Sequence, residues 1–238
     1  MQAIILAAGM GKRLHTDKNK SMVCVNGISL WSRQITALKK ANIKKIIVVT
    51  GYNAPEFEKY ILTYSDNMEI TFVRNDDFAT TNNIWSLFLA KDYFTDDVIL
   101  LESDLIYEED VIEKLCNEDN PNVTVVAKLD TWMDGTTVIL KDNYVEEIIP
   151  KSESKKYDPN DLYKTVNIYK FSAAFLKNKY FPMLEYYIQK HGKQEYYEMA
   201  LRELITHEKH LLAAMELQTK WYEIDTEVDL EQAEKLFH

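Results

Sequence analysis

Cysteine is scarce in this sequence of 238 residues. The two cysteines, Cys24 and Cys116, lie far apart and form neither a Cys-x-x-Cys pair nor a Cys/His combination with metal-ligand spacing. The five histidines show no such spacing either. These patterns exclude the common zinc-binding motifs and a disulfide framework, and they are typical of reduced core thiols in a cytoplasmic protein.

Long hydrophobic runs and an excess of basic residues are also missing. No apolar run approaches the roughly 20 residues that span a bilayer, and the N-terminus has no basic segment typical of a signal peptide. Lysine and arginine number 28 against 38 acidic residues, which gives a net charge of −10. Because nucleic acids and anionic membranes are bound by basic surfaces, we expect neither as a partner and expect a cytoplasmic location.

Two of the six glycines lie in one N-terminal stretch, residues 3–13, with the sequence AIILAAGMGKR. Its apolar first half suits a strand that is buried on both faces. Gly9 and Gly11 let the backbone turn sharply and let its N–H groups approach an anion without an intervening Cβ. Lys12 and Arg13 follow and can contact phosphate oxygens. The stretch therefore predicts a strand that leads into a phosphate-binding loop.

Two common phosphate-binding motifs do not match this loop. A P-loop requires Ser or Thr after the Gly-Lys pair, and Arg13 stands there instead. A dinucleotide-binding fingerprint requires a third glycine after Gly9 and Gly11, and Leu14 occupies that position. The loop thus indicates a phosphate ligand of another kind. Because the chain is acidic overall, the cleft that binds it must be locally basic or must use a metal ion.

Buried strands and amphipathic helices alternate through the first half of the chain. This alternation predicts an α/β fold with a Rossmann-like, doubly wound and mostly parallel sheet, in which ligands bind at the carboxyl ends of the strands. Short extended runs and turns between about 128 and 170 predict a small antiparallel insertion within a single domain, 1–238. The predicted strands of the first half are 3–7, 46–49, 70–73 and 98–101, and the predicted helices are 29–40 and 55–64.

Acidic residues follow two of the predicted strands. Asp104 lies just beyond a central apolar strand, where packing cannot explain a carboxylate and a cation should be nearby. Glu102 is expected to point to the opposite face, because residues 102 and 104 share a face only if the strand continues unbroken through Asp104, and its role stays open. Glu223 and Asp225 lie on one face of the last predicted strand. They favour a metal site, although acids ahead of a helix also serve as N-caps.

A polar turn, 80–83, opens the helix that follows the third predicted strand. Its sequence is Thr-Thr-Asn-Asn, and both residue types are favoured at helix N-caps. The asparagine amides could also pair with the polar edge of a nucleotide base. The two explanations are compatible.

Several of these segments together resemble one enzyme family. LAAGMGKRL followed by Lys20 is similar to the signature of the nucleotidyltransferases that activate sugar phosphates and small alcohol phosphates, and WYEIDTEVDLEQA is similar to their closing motif. Asn19 departs from the pattern, because the family usually has proline there, and the turn lacks the restraint that proline imposes. NIWSL and LESD extend the likeness over essentially the whole chain. Within the family, the sequence most resembles bacterial phosphocholine and 2-aminoethylphosphonate cytidylyltransferases.

The resemblance implies transfer of CMP from CTP to a small cationic phosphate or phosphonate, with phosphocholine favoured over 2-aminoethylphosphonate, Mg²⁺ as cofactor and pyrophosphate as product. Arg13 and Lys20 would be the catalytic residues, with Arg13 on the β- and γ-phosphates and Lys20 between the acceptor phosphate and the α-phosphate. Asp104 and Asp225, joined by Glu223, would hold the metal ion. The implied nucleotide-binding residues are Leu6, Ala7, Ala8, Gly9, Met10, Gly11, Asn75, Thr81, Asn82 and Asn83.

The same resemblance implies a pocket that holds the cationic head of the acceptor with aromatic rings and a carboxylate. The sequence offers Trp132 in the insertion, Glu195, Tyr196 and Tyr197 in a late helical stretch, and Tyr222 beside the metal-binding strand. Each contact between a quaternary ammonium and a ring stabilises binding by roughly 0.5–2 kcal/mol, whereas a primary amine would prefer a carboxylate. A sugar-1-phosphate nucleotidyltransferase that uses UTP or dTTP, a non-catalytic nucleotide-binding module and a homodimer all stay open.

Overall fold

Thirteen strands and eight α-helices follow one another along the residues that the computed structural model describes, 1–14 and 18–237. None of the helices in this described part has both the length and the apolar composition needed to cross a membrane. The strands are β1 (Gln2–Ala7), β2 (Cys24–Val25), β3 (Ile28–Ser29), β4 (Lys45–Thr50), β5 (Glu69–Arg74), β6 (Val98–Glu102), β7 (Leu105–Tyr107), β8 (Val123–Lys128), β9 (Thr137–Lys141), β10 (Tyr144–Ile149), β11 (Tyr163–Phe171), β12 (Ala213–Glu216) and β13 (Trp221–Glu223). The helices are α1 (Leu30–Lys40), α2 (Ala54–Tyr64), α3 (Asn83–Leu89), α4 (Val111–Cys116), α5 (Ala173–Phe175), α6 (Phe181–His191), α7 (Tyr197–His207) and α8 (Glu227–Leu236).

A mixed sheet of nine strands forms the centre of the molecule, in the order β5-β4-β1-β6-β11-β8-β12-β10-β9. The first four strands are parallel, and Leu6 of β1 lies level with Val49 of β4 and Glu102 of β6. From β11 onward antiparallel pairs dominate, and β8 and β12 form the one parallel pair described there. The predicted α/β fold is confirmed. Its antiparallel part is larger than the expected insertion, because β8 begins at Val123 and β12 comes after α7.

Strand β1 is buried along its whole length because parallel strands flank it and helices cover both of its faces. Ala3, Ile5 and Ala7 pack into one hydrophobic core with α1, α2 and α4, whereas Ile4 and Leu6 pack into a second core with α3, α6 and α7. Side chains alternate along a strand, so one apolar run supplies both cores. The loop after β1 is therefore held on a rigid element.

A short antiparallel ladder brings the C-terminal segment to the end of β6. Strand β7 follows β6 after a turn, and β13 pairs with β7 so that Glu223 lies opposite Leu105. The Ile224 N–H also donates to the Asp104 carbonyl oxygen at 2.9 Å. Residues that are distant in sequence are thereby placed side by side at the carboxyl end of the sheet.

Candidate active site

A large cavity of about 1070 Å³ opens at the carboxyl ends of the parallel strands. Six basic and seven acidic residues are among those that line it. The overall negative charge required that a phosphate-binding cleft be locally basic or use a metal ion, and the seven acids favour the second arrangement. The cavity can bind cations as well as phosphates.

The glycine loop is open to the cavity at Gly9 and filled by a side chain at Gly11. A Cβ at Gly9 would meet no atom within 4 Å, so protein packing leaves free space there. Gly11 has a φ of +57°, and a Cβ would lie 2.9 Å from Lys20 Cγ. Below the loop, a Cβ at Gly51 would lie 2.8 Å from the Ala8 carbonyl oxygen. These close approaches require glycine, and the open space at Gly9 fits an anion.

Asn19 anchors the turn that presents Lys20. Its Nδ2 donates to the Ala7 carbonyl oxygen at 2.8 Å, and its Oδ1 accepts from the Ser21 N–H at 3.0 Å. Its φ of −61° lies in the range that proline imposes. Side-chain hydrogen bonds therefore supply the restraint that the missing proline would give, and they tie Lys20 to the end of β1.

The ammonium of Lys20 lies between two acids from distant parts of the chain. Its Nζ donates to Asp104 Oδ2 at 3.0 Å and also to Asp225 Oδ1. Arg13 Nη2 donates to the other oxygen of Asp225 at 2.8 Å. Burial lowers the pKa of Lys20, but the two carboxylates outweigh this effect and raise the pKa above its usual value. The basic and acidic groups expected to act together thus converge, and Asp104 and Asp225 already share one cation.

Capping of α8 does not explain the carboxylate of Asp225. The helix begins with a capping box formed by Thr226 and Asp229. Asp229 Oδ2 also accepts from the Asp225 N–H at 3.1 Å. The capping explanation therefore applies to Asp229, whereas the Asp225 side chain points to the basic groups of the loop.

Three carboxylates, from Glu102, Asp104 and Glu223, offer oxygen atoms that all lie within 4.8 Å of one another. Asp104 Oδ1 is buried and has no hydrogen-bond partner among the described residues. Burial raises the pKa of Glu223 to about 7; Lys164 lowers it, and Asp104 and the neighbouring Asp225 raise it. Crowded carboxylates with an unpartnered oxygen are a donor set that fits a hard divalent cation.

Glu102 belongs to this cluster, so the expectation that it points to the opposite face was wrong. Strand β6 does end at Glu102, as the expectation assumed, but the turn at residues 103–104 brings the Asp104 carboxylate back to the side of Glu102. Asn83 Nδ2 donates to Glu102 Oε1 at 3.0 Å and holds the side chain in place. Burial raises the pKa of Glu102 well above its usual value, and the charge of Asp104 adds to the effect.

Most of the residues predicted to bind the nucleotide line the cavity, whereas Ala7 and Met10 do not. Asn75 is 1% exposed, and its Nδ2 donates to Thr81 Oγ1 and Ser86 Oγ, both at 3.1 Å. Its amide therefore shapes the polar turn before α3. The predicted residues found in the lining are Leu6, Ala8, Gly9, Gly11, Asn75, Thr81, Asn82 and Asn83.

Three of the five predicted acceptor-binding residues lie outside the cavity lining. Trp132 stacks on Tyr222, with ring centroids 4.2 Å apart and an angle of 8° between the planes. Tyr197 is fully buried and meets Tyr169 edge-on, so the acceptor role predicted for it is corrected to a core role. The lining does include the other two residues, 195 and 196, which lie in the turn before α7 rather than in the helix.

Two buried charges in the cavity wall are not among the site residues predicted from the sequence. Glu198 is 3% exposed, and its Oε2 has no hydrogen-bond partner among the described residues. Burial raises its pKa, against a lowering effect from the nearby Lys164. Lys164 is 2% exposed and donates to the Thr165 carbonyl oxygen at 2.6 Å, with Glu223 Oε2 at 3.7 Å. Neither charge is fully paired.

A sequence signal for both buried charges exists. Glu198 lies on the same helical stripe as Leu201 and Ile205, which are both buried. Lys164, Val166 and Ile168 occupy every second position of β11, and all three are buried. A charged residue at an otherwise apolar position of a helical or strand pattern is the observation that could have found them.

Comparison with known proteins adds three findings. The model of the MobA-like NTP transferase domain family matches residues 3–207. CMP-5'-(3-aminopropyl)phosphonate synthase of Streptomyces rubellomurinus is 27% identical over 100% of this chain, which spans 39% of that protein. CTP:phosphoglutamine cytidylyltransferase of Campylobacter jejuni is 32% identical over 99% of this chain and 100% of that protein. The structure of CTP:phosphocholine cytidylyltransferase from Streptococcus pneumoniae superposes with a TM-score of 0.81 at 23% identity, covering 100% of this chain and 99% of that one, which shows the same fold.

Proposed function

The chain belongs to the MobA-like NTP transferase domain family and is a nucleotidyltransferase, and on this basis we propose that it transfers CMP from CTP to a small phosphate or phosphonate that carries an ammonium group. The names of two relatives that align with the whole chain, a CMP-phosphonate synthase and a CTP-dependent cytidylyltransferase, support the choice of nucleotide and acceptor. The observation that carries the proposal is the Lys20 ammonium between Asp104 and Asp225, beside the glycine loop.

In the proposed reaction, an oxygen of the acceptor attacks the α-phosphorus of CTP in line. A new P–O bond forms, the bond from the α-phosphorus to the bridging oxygen breaks, and pyrophosphate leaves with that electron pair. A phosphate or phosphonate dianion is already a nucleophile near neutral pH, so no general base is required. Positioning of the reactants and neutralisation of charge then account for most of the rate enhancement.

The basic groups around the glycine loop would receive the triphosphate. The side chain of Arg13 is 66% exposed and can leave Asp225 for the β- and γ-phosphates. Lys20 can exchange its carboxylate partners for oxygens of the α-phosphate and of the acceptor. The backbone N–H groups of the glycine loop would donate to phosphate oxygens in the open space at Gly9. The contacts of Arg13 and Lys20 would thus replace ion pairs within the protein by ion pairs with the substrate.

Mg²⁺ fits the acidic cluster at this site. Asp104 and Glu223 would hold the ion with Glu102 beside them, and Asp225, which shares the Lys20 ammonium with Asp104, would join them. The unpartnered Oδ1 of Asp104 and the carboxylate-only donor set support a hard divalent cation. When bound, Mg²⁺ supplies positive charge that stabilises the transferred phosphoryl group.

The ammonium head of the acceptor would contact Glu198. A buried carboxylate oxygen without a partner costs free energy, which an N–H from a primary ammonium would offset. Trp132 stacks on Tyr222 outside the cavity lining, so these rings form no box for a quaternary ammonium. The buried ammonium of Lys164 would neutralise the phosphonate or phosphate of the acceptor. These contacts favour an aminoalkyl phosphonate over phosphocholine, the reverse of the order that the sequence resemblance implied.

A turnover screen tests this proposal. CTP, UTP, dTTP and ATP are each combined with 2-aminoethylphosphonate, 3-aminopropylphosphonate, phosphocholine and glucose-1-phosphate in the presence of Mg²⁺. Pyrophosphate release is measured, and the product is identified by mass. We expect CTP and an aminoalkyl phosphonate to give the highest kcat/KM. Highest activity with UTP or dTTP and glucose-1-phosphate, or binding of CTP without pyrophosphate release from any acceptor, contradicts the proposal.

A further inference from the structure

The segment just before α7 rests on the polar turn that begins α3. The Asn82 N–H donates to the Lys193 carbonyl oxygen at 2.8 Å, and Asn82 Nδ2 donates to the Gln194 carbonyl oxygen at 3.3 Å. Lys193 Nζ lies 3.7 Å from the centroid of the Trp85 ring. These backbone and side-chain contacts join the turn predicted to bind the nucleotide, 80–83, to the segment that leads into α7. Helix α7 carries Glu198, on the proposed acceptor side of the cavity.

Asn83 completes this junction with both ends of its amide. Its Oδ1 accepts from the Tyr197 N–H at 3.0 Å, and its Nδ2 donates to Glu102 Oε1 at 3.0 Å. Tyr197 is the first residue of α7, and its N–H is one of the donors that a helix leaves without an internal partner. One side chain therefore connects a carboxylate of the acidic cluster to the helix that carries Glu198.

The chemistry of the two partners fixes the orientation of this amide. A backbone N–H can only donate, so the Asn83 oxygen must face Tyr197. With that oxygen facing Tyr197, the Asn83 nitrogen faces Glu102 Oε1, which accepts its N–H. Alanine would lose both contacts. Aspartate would keep the contact to Tyr197 but would offer no N–H to Glu102, and when both carboxyl groups are ionised their charges repel.

We propose that Asn83 is a positioning residue that fixes α7, and with it Glu198, relative to the acidic cluster. This inference rests on the proposed function, because it assigns to Asn83 the alignment of the acceptor with the nucleotide. The sequence resemblance assigned the Asn83 amide to the nucleotide, but its oxygen and its nitrogen both form hydrogen bonds to protein groups. Displacing α7 would separate the acceptor from the α-phosphorus while leaving the glycine loop and Lys20 in place.

An exchange of the two functional groups tests the role of Asn83. Four proteins are compared: wild type, Asn83→Asp, Glu102→Gln, and the double variant. In Glu102→Gln, the new amide oxygen can still accept from Asn83. In the double variant, aspartate at 83 accepts from both the Tyr197 N–H and the new amide N–H at 102, so the contact is restored with its polarity reversed. Comparison of the double variant with Glu102→Gln removes any effect of losing the carboxylate itself.

The first readout is hydrogen–deuterium exchange of the amides of 193–199 at pH 8, with no substrate present. We expect Asn83→Asp to accelerate exchange there roughly tenfold, and the double variant to match Glu102→Gln. The second readout is calorimetric binding of 2-aminoethylphosphonate and of CTP with Mg²⁺. We expect Asn83→Asp to weaken 2-aminoethylphosphonate binding about tenfold and CTP binding less than about threefold, with recovery in the double variant to the level of Glu102→Gln.

Asn122→Asp is the matched control, because Asn122 Oδ1 also joins two segments, through the Ser172 N–H at 3.1 Å and the Ser172 hydroxyl at 3.2 Å, but outside this cavity. It should leave exchange at 193–199 and both affinities unchanged. Unaltered exchange in Asn83→Asp, or a double variant as impaired as Asn83→Asp, overturns the positioning role. If the wild type binds neither CTP nor 2-aminoethylphosphonate, the proposed function fails, and the exchange measurements still decide the role of Asn83.

Discussion

The two sides of the cavity, the proposed nucleotide side around Gly9 and Lys20 and the proposed acceptor side around Glu198 and Lys164, hold their charges in different ways. On the nucleotide side, the exposed Arg13 pairs with Asp225, and the mostly buried Lys20 pairs with both Asp104 and Asp225. On the acceptor side, Glu198 and Lys164 are 3% and 2% exposed, and Glu198 keeps an oxygen without a partner. A cation that already has carboxylate partners can exchange them for oxygens of a charged ligand, and for the exposed Arg13 this exchange costs little. Buried charges with incomplete pairing select a ligand whose own charges complete them.

This comparison predicts the largest loss for a change on the nucleotide side. Asp104→Asn or Asp225→Asn should lower kcat/KM on the order of 10³-fold, because each removes charge that the metal ion and the transferred phosphoryl group require. The fold should persist, since Lys20 retains one acidic partner. Pyrophosphate release and the thermal midpoint are measured together. Asp66→Asn, at an exposed turn, is the control, and a near-normal rate in either site variant would show that the metal assignment is wrong.

Loss of the Lys20 ammonium, which is proposed to exchange its carboxylate partners for substrate oxygens, should have the next largest effect. Lys20→Met should lower kcat about 10²-fold, because the α-phosphate and the acceptor lose a shared positive charge. The same change should strengthen Mn²⁺ binding about tenfold without nucleotide, since Lys20 no longer occupies Asp104 and Asp225. Kinetics and electron paramagnetic resonance titration test the two effects. Lys12→Met, in the same lining, should change neither greatly, and unchanged Mn²⁺ affinity in Lys20→Met would contradict the view that this pair is exchangeable.

On the acceptor side, the expected effect is smaller and falls on one substrate. Glu198→Gln should raise the KM for an aminoalkyl phosphonate about tenfold and leave the KM for CTP within about twofold, because the amide cannot pair with the ammonium charge. Initial rates with each substrate varied in turn measure the split. Glu203→Gln, at a partly exposed position of the same helix, is the control. Equal changes in both KM values would place Glu198 in the general structure of the cavity.

The same variant should alter stability in a pH-dependent way. Burial raises the pKa of Glu198 in the folded state, so the folded protein holds this proton more tightly than the unfolded chain does. The stability contributed by the protonated carboxyl is present below the unfolded pKa of about 4.3 and is lost as the pH rises from there through the folded pKa. Glu198→Gln should therefore gain stability relative to wild type between pH 4.5 and pH 8. Denaturant titrations at the two pH values measure this difference, and a constant difference would contradict it.

The nucleotide side was largely predictable from the sequence, because its signals are local. Gly9, Gly11 and Lys20 lie in one short motif, and Asp104 and Asp225 each follow a strand whose end is fixed by the sheet. Only the spatial convergence had to be inferred, and the ladder of β7 and β13 provides it. The strand does end before Asp104, but the pattern did not show that the turn at 103–104 returns Asp104 to the side of Glu102, which is why Glu102 was placed on the wrong face.

The acceptor side was less predictable, because side-chain direction there depends on how helices pack. Tyr196 and Tyr197 are adjacent and chemically identical, yet one is 53% exposed and the other is fully buried. The helix α7 begins at Tyr197, so Tyr196 lies outside the helix and Tyr197 inside it, and this difference sets which ring is buried. Helix ends are the least certain part of a sequence-based assignment. Glu198 and Lys164 occupy positions where the helical and strand patterns predict apolar residues. An assignment that treats those positions as apolar therefore does not detect the two charges.

Trp132→Ala should have the smallest effect on the reaction, and it tests whether aromatic rings contribute to the acceptor side at all. Its ring stacks on Tyr222 outside the cavity lining, so the KM for either substrate should change less than about threefold. Loss of the stack should lower the free energy of unfolding by about 1 kcal/mol. Tyr93→Ala, an exposed aromatic elsewhere, is the control for both measurements. A large rise in the acceptor KM alone would mean that Trp132 leaves Tyr222 when the acceptor binds, and the acceptor side would then recognise its ligand with aromatic rings as well as with Glu198.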